Sequence, residues 1–254
     1  MKIQMINILL CGANGKMGNA VRRVVADNDL VTIVAGFDIN TATCEFPVYD
    51  DLSNIREKID CIIDFSHPSL TDRILDYARA NKIPAIICTT GLSKDQLSKM
   101  EFYSKDTPIF FSANMSIGVN LLIDLVCRAS KILENNFDIE IVEKHHNQKL
   151  DAPSGTALAI ADAISDTLSF NPHYMYDRHS VRQKRDKSEI GIHAVRGGSI
   201  VGEHTVIFAG NDEVIEVKHQ ATSKEVFAVG AVRAAIFMQG KNAGMYNMTD
   251  LVKE

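Results

Sequence analysis

Through the first half of the chain, short apolar runs alternate with stretches in which apolar residues recur every third or fourth position. The runs INILLC (6–11), VTIVAGF (31–37), CIIDF (61–65), PAIICTT (84–90) and PIFFSA (108–113) are rich in Ile, Val and Phe. Unbroken runs of this length predict strands buried on both faces. Between them, KMGNAVRRVVADN, SLTDRILDYARAN and SKDQLSKMEFYSK predict helices, with Ser69 and Ser93 as N-caps. Strand and helix in alternation predict a parallel, doubly wound sheet. A long helix over NMSIGVNLLIDLVCRASKIL follows, and the pattern then changes. FDIEIVEKHH (137–146), EIGIHAVR (189–196), HTVIFAG (204–210) and EVIEVKHQ (213–220) alternate apolar with polar residues, as strands with one wet or partner-covered face do. AGNDE is a hairpin-turn candidate, a helix is predicted over 155–168, and a polar loop over about 169–188. The Ala-rich segment EVFAVGAVRAAIFMQGK (225–241) is apolar enough to pack back on the first domain. The predicted class is α/β: a doubly wound parallel sheet, then a smaller α+β domain with a mainly antiparallel or mixed sheet. The expected boundaries are 1–116 with 225–254, and 117–224.

Composition narrows the function classes. A chain of 254 residues suits one large or two modest domains. With 46% hydrophobic and 23% charged residues it is an ordinary globular composition, and no apolar stretch is long enough to span a membrane. The opening MKIQMINILLCGANGKMG runs straight from apolar residues into a glycine-rich turn, which reads as a strand rather than a signal peptide. A formal net charge of -5 gives no footprint for nucleic acid, and the basic run RHSVRQKRDK (178–187) reads as a solvated loop. The five cysteines form no Cys-x-x-Cys pair, and Cys11, Cys61 and Cys88 sit in or at the ends of apolar runs as small hydrophobes. A reducing, cytoplasmic setting is expected.

Two segments carry chemistry. LLCGANGKMG places Gly12, Gly15 and Gly18 between a predicted strand and a helix. Such glycines allow a tight turn, let backbone N–H groups approach a pyrophosphate and aim a helix N-terminus at its charge, the signature of a Rossmann-type nucleotide fold. Asp38, at the end of the second run, is placed to accept hydrogen bonds from an adenine-ribose diol, or else to serve as a turn residue or cap. No Arg or Lys lies within 39–44 to pair with a 2′-phosphate, so NADH is expected to be preferred over NADPH. The strand ends DFSHP, CTTG and SANMS belong at the same sheet edge, either lining the cofactor crevice or forming plain turns. The second segment is EKHHNQKLDAPSGTALAIADAI (143–164). His145 and His146 are neighbours on a strand and point to opposite faces, so no metal site is expected. Lys149 follows, Asp151 can hold an imidazole or the lysine, and Pro153, Ser154, Gly155 and Thr156 lead into an Ala-rich helix. A helix mouth beside a lysine suits a small dicarboxylate, with a histidine available to supply a proton; the plainer alternative is a capped helix beside surface cations.

EKHHNQKLDAPSGTA fits the E-x-H-H-x-x-K-x-D-x-P-S-G-T-A motif of dihydrodipicolinate reductases, and the whole chain resembles that family. GANGKMG, CTTG, SANMSIGVN, RGGSIVGEHTVIFAG and VGAVRAA occur in the family's order. The resemblance implies His145 as proton donor and Lys149 as a second catalytic cation, with His146, Ser154, Gly155 and Thr156 holding the substrate's carboxylates. It implies dinucleotide contacts from Gly12, Ala13, Asn14, Gly15, Lys16 and Met17, from Asp38, from Cys88, Thr89 and Thr90, and from Ser112, Ala113, Asn114 and Met115. Phe65, Lys224 and Phe227 are outlying candidates. It further implies hydride transfer from NADH or NADPH to a conjugated cyclic imine dicarboxylate and a homotetramer joined through the second sheet; because the cofactor loop and the anion mouth fall in different predicted domains, closure is expected across two connections, near Ser116 and near residues 222–226. The family usually has Gly where Cys88 stands, and Ile39 replaces an arginine that some members use near a 2′-phosphate. Two rival readings remain at this stage: another Rossmann-type imine or amino-acid dehydrogenase, and a non-catalytic NAD-binding sensor.

Overall fold

The computed structural model describes residues 5–42 and 44–254. In chain order the elements are β1 Ile6–Cys11, α1 Lys16–Ala26, β2 Val31–Phe37, β3 Val48–Tyr49, β4 Cys61–Asp64, α2 Pro68–Asn81, β5 Ala85–Ile87, α3 Lys94–Tyr103, β6 Pro108–Phe111 and α4 Ile117–Leu133. There follow β7 Asp138–His145, α5 Gly155–Ser165, β8 His173–Met175, β9 Glu189–Arg196, β10 Gly202–Ala209, β11 Val214–Ala221, α6 Glu225–Phe237, β12 Gly244–Tyr246 and α7 Met248–Lys253. The chain divides into two compact units, residues 1–117 with 225–254, and residues 118–224.

Unit 1 is built on a seven-stranded sheet in the order β12-β6-β5-β4-β1-β2-β3, with every pairing parallel. Strand β1 shows why its run has no alternation: Ile8 and Leu10 face a core shared with α1 and α6, while Leu9 and Cys11 face one shared with α2 and α3. Chain order reverses between β1 and β4, so the crevice outside their carboxyl ends is where such a sheet takes a ligand. Helix α6 comes close to the backbone after β6, since a Cβ at Gly230 would fall 1.7 Å from the Met115 carbonyl oxygen. Burial pushes the thiols of Cys11, Cys61 and Cys88 up, which keeps them protonated and inert. Ser93 caps α3 with a full capping box, as expected. Ser69 does not cap α2. The cap is His67, whose Nδ1 accepts from Ser69 N–H at 3.2 Å, because Pro68 takes the first helical position and moves the start two residues earlier.

Unit 2 carries a five-stranded mixed sheet in the order β11-β10-β7-β9-β8. The pairs β10–β11 and β10–β7 are antiparallel, whereas β7–β9 and β8–β9 are parallel. The passage through α5 between β7 and β9 is the crossover that a parallel neighbour requires. Leu122 and Val126 of α4 and Ile160, Ala161 and Ile164 of α5 cover one face, packing on Ile139, Ile141, Ile190, Ile192, Val206 and Phe208. The polar loop predicted over 169–188 contains β8, and its basic run is only partly solvated. Arg185 donates to Glu140 at 3.0 Å and Asp138 at 2.9 Å, and Arg178 to the buried Glu189 at 2.6 Å. Glu140 reaches that far because its partner across the sheet is Gly191, where any Cβ would overlap the carboxylate.

Candidate active site

In unit 1 the loop after β1 is shaped by its glycines. Gly12 has φ +76°, which only glycine adopts without strain, and a Cβ there would fall 2.7 Å from the Phe65 carbonyl oxygen at the end of β4. Gly12 N–H donates to Phe37 O at 2.8 Å and Gly15 N–H to Gly12 O at 3.1 Å, so the ends of β1, β2 and β4 are tied together. Gly15 caps α1 with no side-chain hydrogen bond, which leaves the first-turn N–H groups to a ligand. A backbone cradle that a side chain would fill, at an uncapped helix mouth, fits a pyrophosphate. Asp38 supports this loop directly: Oδ2 accepts from Asn14 N–H at 2.9 Å and Oδ1 from Asn40 N–H at 3.0 Å. Each carboxylate oxygen keeps acceptor capacity for a further donor. The Asn14 amide donates to the carbonyls of Asn40 at 2.6 Å and Ala42 at 3.1 Å, folding the segment after β2 over the glycine loop. Ala13 is fully buried and Lys16 exposed on the first turn of α1.

Beside the loop lies a cavity of about 290 Å³, lined by Met17, Phe65, Ser66, Cys88, Thr89, Thr90, Ala113, Asn114, Met115 and Phe227. Its floor is held by Asp64, a fully buried carboxyl that accepts from Ser66 N–H at 2.8 Å and from the Thr89 hydroxyl at 2.9 Å. Burial raises that carboxyl above its ordinary value against the pull of these hydrogen bonds. The Thr89 hydroxyl is thus engaged in joining β4 to β5, and Thr90 is the exposed member of the pair. Ser112 lies outside the cavity lining and donates to Asn114 O at 2.9 Å. Lys224 is exposed and is the last residue of unit 2.

In unit 2 the site grows from the end of β7. Glu143 and His145 lie two residues apart and share a face, whereas Lys144 points the other way to Glu203 at 2.6 Å. Glu143 is fully buried. Its Oε1 accepts from Arg196 Nη2 at 2.7 Å and Ser154 N–H at 3.0 Å; its Oε2 accepts from Arg196 Nη1 at 2.7 Å and His145 Nδ1 at 2.6 Å. Burial pushes this carboxyl up, and the bonds from Arg196, His145 and Ser154 outweigh it, so that it lies below the ordinary carboxylate value. Ser154 caps α5 by accepting from Ala157 N–H at 3.1 Å, and its Oγ also lies 3.0 Å from His204 Nε2. Among the described residues the His204 Nδ1 is buried without a hydrogen-bond partner, which suits a lone pair far better than an N–H. The ring proton therefore sits on Nε2 and is donated to Ser154 Oγ, leaving the serine's own proton for an incoming acceptor. Burial and the neighbouring His145 lower His204 to about 4. Gly155 and Thr156 open α5, and among the described residues a side chain at Gly155 would project into open space.

Lys149 Nζ pairs with Asp151 Oδ1 at 2.8 Å, so Asp151 holds the lysine rather than an imidazole. His146 leaves the strand and turns toward Lys149, whose N–H donates to its carbonyl at 3.2 Å. Among the described residues no group of three or more His, Cys, Asp or Glu is arranged to hold a metal ion, and no helix is long and apolar enough to cross a membrane. Sequence reasoning missed Glu143, Arg196 and His204. Each continues the buried face of its strand, and a polar residue in that phase has to find a buried partner.

The chain matches the family model described as dihydrodipicolinate reductase, N-terminus, over residues 6–115, and its C-terminal counterpart over residues 118–252. It is 53% identical over 250 residues to the 4-hydroxy-tetrahydrodipicolinate reductase of Caldanaerobacter subterraneus subsp. tengcongensis, covering 98% of this chain and 99% of that one. The protein of the same name from Clostridium tetani is 51% identical over 245 residues, 96% of each chain. A solved dihydrodipicolinate reductase from Paenisporosarcina sp. TG-14, with dipicolinate bound, superposes with a TM-score of 0.78 at 25% identity, covering 96% of this chain and 98% of that one. With both of its halves matched and full-length relatives at such identity, the chain belongs to the dihydrodipicolinate reductase family.

Proposed function

We propose that this chain is an NAD(P)H-dependent oxidoreductase that reduces 4-hydroxy-tetrahydrodipicolinate, by way of the conjugated imine dihydrodipicolinate, to tetrahydrodipicolinate in the diaminopimelate route to lysine. One observation carries the reading: His145 and the mouth of α5 meet on a single buried carboxylate, beside the Lys149–Asp151 pair. That is an acid and an anion seat of the chemistry a cyclic dicarboxylate demands. A bound nicotinamide dinucleotide supplies the hydride. Ser154, Gly155 and Thr156 receive one carboxylate with backbone N–H groups and hydroxyls, and Lys149 and His146 offset the substrate's charge. His145 gives a proton to the ring carbon that carries the electron pair left after reduction of the conjugated imine. Gly12 to Met17 and Asp38 hold the dinucleotide's phosphates and adenine ribose, with Cys88 to Thr90, Ser112 to Met115, Phe65, Lys224 and Phe227 completing its contacts.

NADH is the preferred donor in this reading, because Asp38 stands where a 2′-phosphate would be repelled and the exposed Ile39 offers no cation. The protein works in the cytoplasm as a homotetramer. The experiment is NADH and NADPH oxidation with substrate made in situ by the preceding synthase. Turnover with NADH at the higher kcat/KM supports both parts. Tenfold better efficiency with NADPH overturns the cofactor preference, and no oxidation of either overturns the function.

A further inference from the structure

We infer that Glu143, clamped by Arg196, is a positioning residue that fixes the tautomer and direction of the His145 ring, so that Nε2 is the atom that delivers the proton. The inference rests on the reading of His145 as the acid. Among the described residues Glu143 is met by four nitrogens and no oxygen: both Arg196 Nη atoms, the Ser154 N–H and His145 Nδ1. A fully buried carboxyl in that position is an acceptor only, so the proton between it and the imidazole stays on Nδ1 in both charge states of the ring. The proton that comes and goes is then the one on Nε2. Space at that nitrogen is kept by a glycine, since a Cβ at Gly202 would come 3.2 Å from Nε2.

The other charged and titratable groups around the ring do not offer this control. Arg196 of β9 is bound to Glu143, and Lys149 in the loop before α5 is bound to Asp151. His204 of β10 meets the ring edge-on at 5.3 Å with its own Nε2 engaged by Ser154. His219 of β11 is the cross-strand neighbour of His204. Glu143 is the one anion in hydrogen-bond contact with the imidazole among the described residues. In the step itself the Nε2–H bond of the imidazolium breaks and a C–H bond forms at the substrate ring carbon, the carbon's electron pair making the new bond. His145 is left neutral with Nδ1–H still on Glu143, and solvent returns a proton to Nε2. Glu143 exchanges no proton.

The test compares wild type with Glu143→Gln across pH. The expected result is a kcat lower by about a hundredfold or more, a smaller change in KM, and an alkaline limb of the kcat profile moved to lower pH, since the ring loses the anion hydrogen-bonded to Nδ1. A merely structural role moves the melting temperature and leaves the profile in place. Because the variant can fail to fold, the wild-type full-length protein is also labelled with 15N-histidine, the His145 signals being assigned by their loss in His145→Gln. Neutral His145 protonated on Nδ1 supports the inference; neutral His145 protonated on Nε2 overturns it, as does a Glu143→Gln profile that keeps its position. A wild-type chain without turnover overturns the functional reading instead, and the tautomer measurement distinguishes the two failures.

Discussion

Three strands of unit 2 each pass from apolar to polar along one face. Ile139 and Ile141 lead to Glu143 and His145, Ile190 and Ile192 lead to Arg196, and Phe208 and Val206 lead to His204. The register places His145 opposite Arg196 and Glu143 opposite His204, so the polar ends converge where the core stops. Burial there has a consequence for His204. Between the ordinary histidine value of 6.5 and about 4, the unfolded chain binds a proton that the folded ring refuses. Stability therefore falls as pH falls through that window, by about 3 kcal/mol at its acid end, and is unaffected by this group above it. Melting temperatures of wild type should drop more steeply between pH 6.5 and 4 than those of His204→Gln, and parallel curves would contradict the assignment. Lys149 gives a second residue-scale prediction. Lys149→Ala should raise KM for the substrate and cost about 2 to 5 kcal/mol in kcat/KM while dinucleotide binding stays unchanged; steady-state kinetics equal to wild type would remove it from the site. The motif residues were legible because their types and spacing are local. Glu143 was not singled out, although it sits in the same segment and in the apolar phase of its strand, because its partner Arg196 is 53 positions away and nothing local shows what the acid would pair with.

At the scale of elements, runs buried on both faces were the easiest to read. β1 and β2 span the very residues their patterns predicted. The elements missed were β3, β8 and β12, of two or three residues each, a single 3-10 turn at Leu52–Asn54 and the short C-terminal α7. Strands that short carry less than two periods of any alternation, so only their neighbours in the sheet define them. The glycine loop shows the opposite case, where a local motif states a packing requirement. A Cβ on Gly18 would lie 2.2 Å from Gly12 O and 2.4 Å from Ala13 O, so α1 rests its first turn directly on the loop backbone. Gly18→Ala must push the helix off that loop. The expected cost is about 1 to 3 kcal/mol of stability, together with at least about tenfold weaker NADH binding as the helix mouth moves away from the cradle. Thermal melting and fluorescence titration with NADH check it, with Gly155→Ala, which has open space around its Cβ, as the control that should melt like wild type.

For the whole molecule, the proposed assembly bears on the face of the second sheet that α4 and α5 leave uncovered. That face mixes apolar side chains with a lattice of ion pairs: Lys144 and Lys218 both hold Glu203, at 2.6 and 2.9 Å, and Arg185 and His193 both hold Glu140, at 3.0 and 2.8 Å. Val195 is 43% exposed and Val214, on the edge strand β11, 59%. Charges already paired within the sheet can be covered by another copy without leaving unpaired ions, and the exposed valines gain from being covered. A tetramer formed through this face should sediment at four times the chain mass at micromolar concentration. Val195→Glu tests the surface without harming the fold, because the side chain is exposed in the single chain and a carboxylate there stays solvated, whereas Lys144 beside it is already committed to Glu203. The variant should melt close to wild type once dilution is allowed for, yet sediment as smaller species, since each interface would gain charges beyond those it can pair. A wild type that sediments as a monomer would dispose of the assembly, and a variant that stays tetrameric would place its contacts on some other surface.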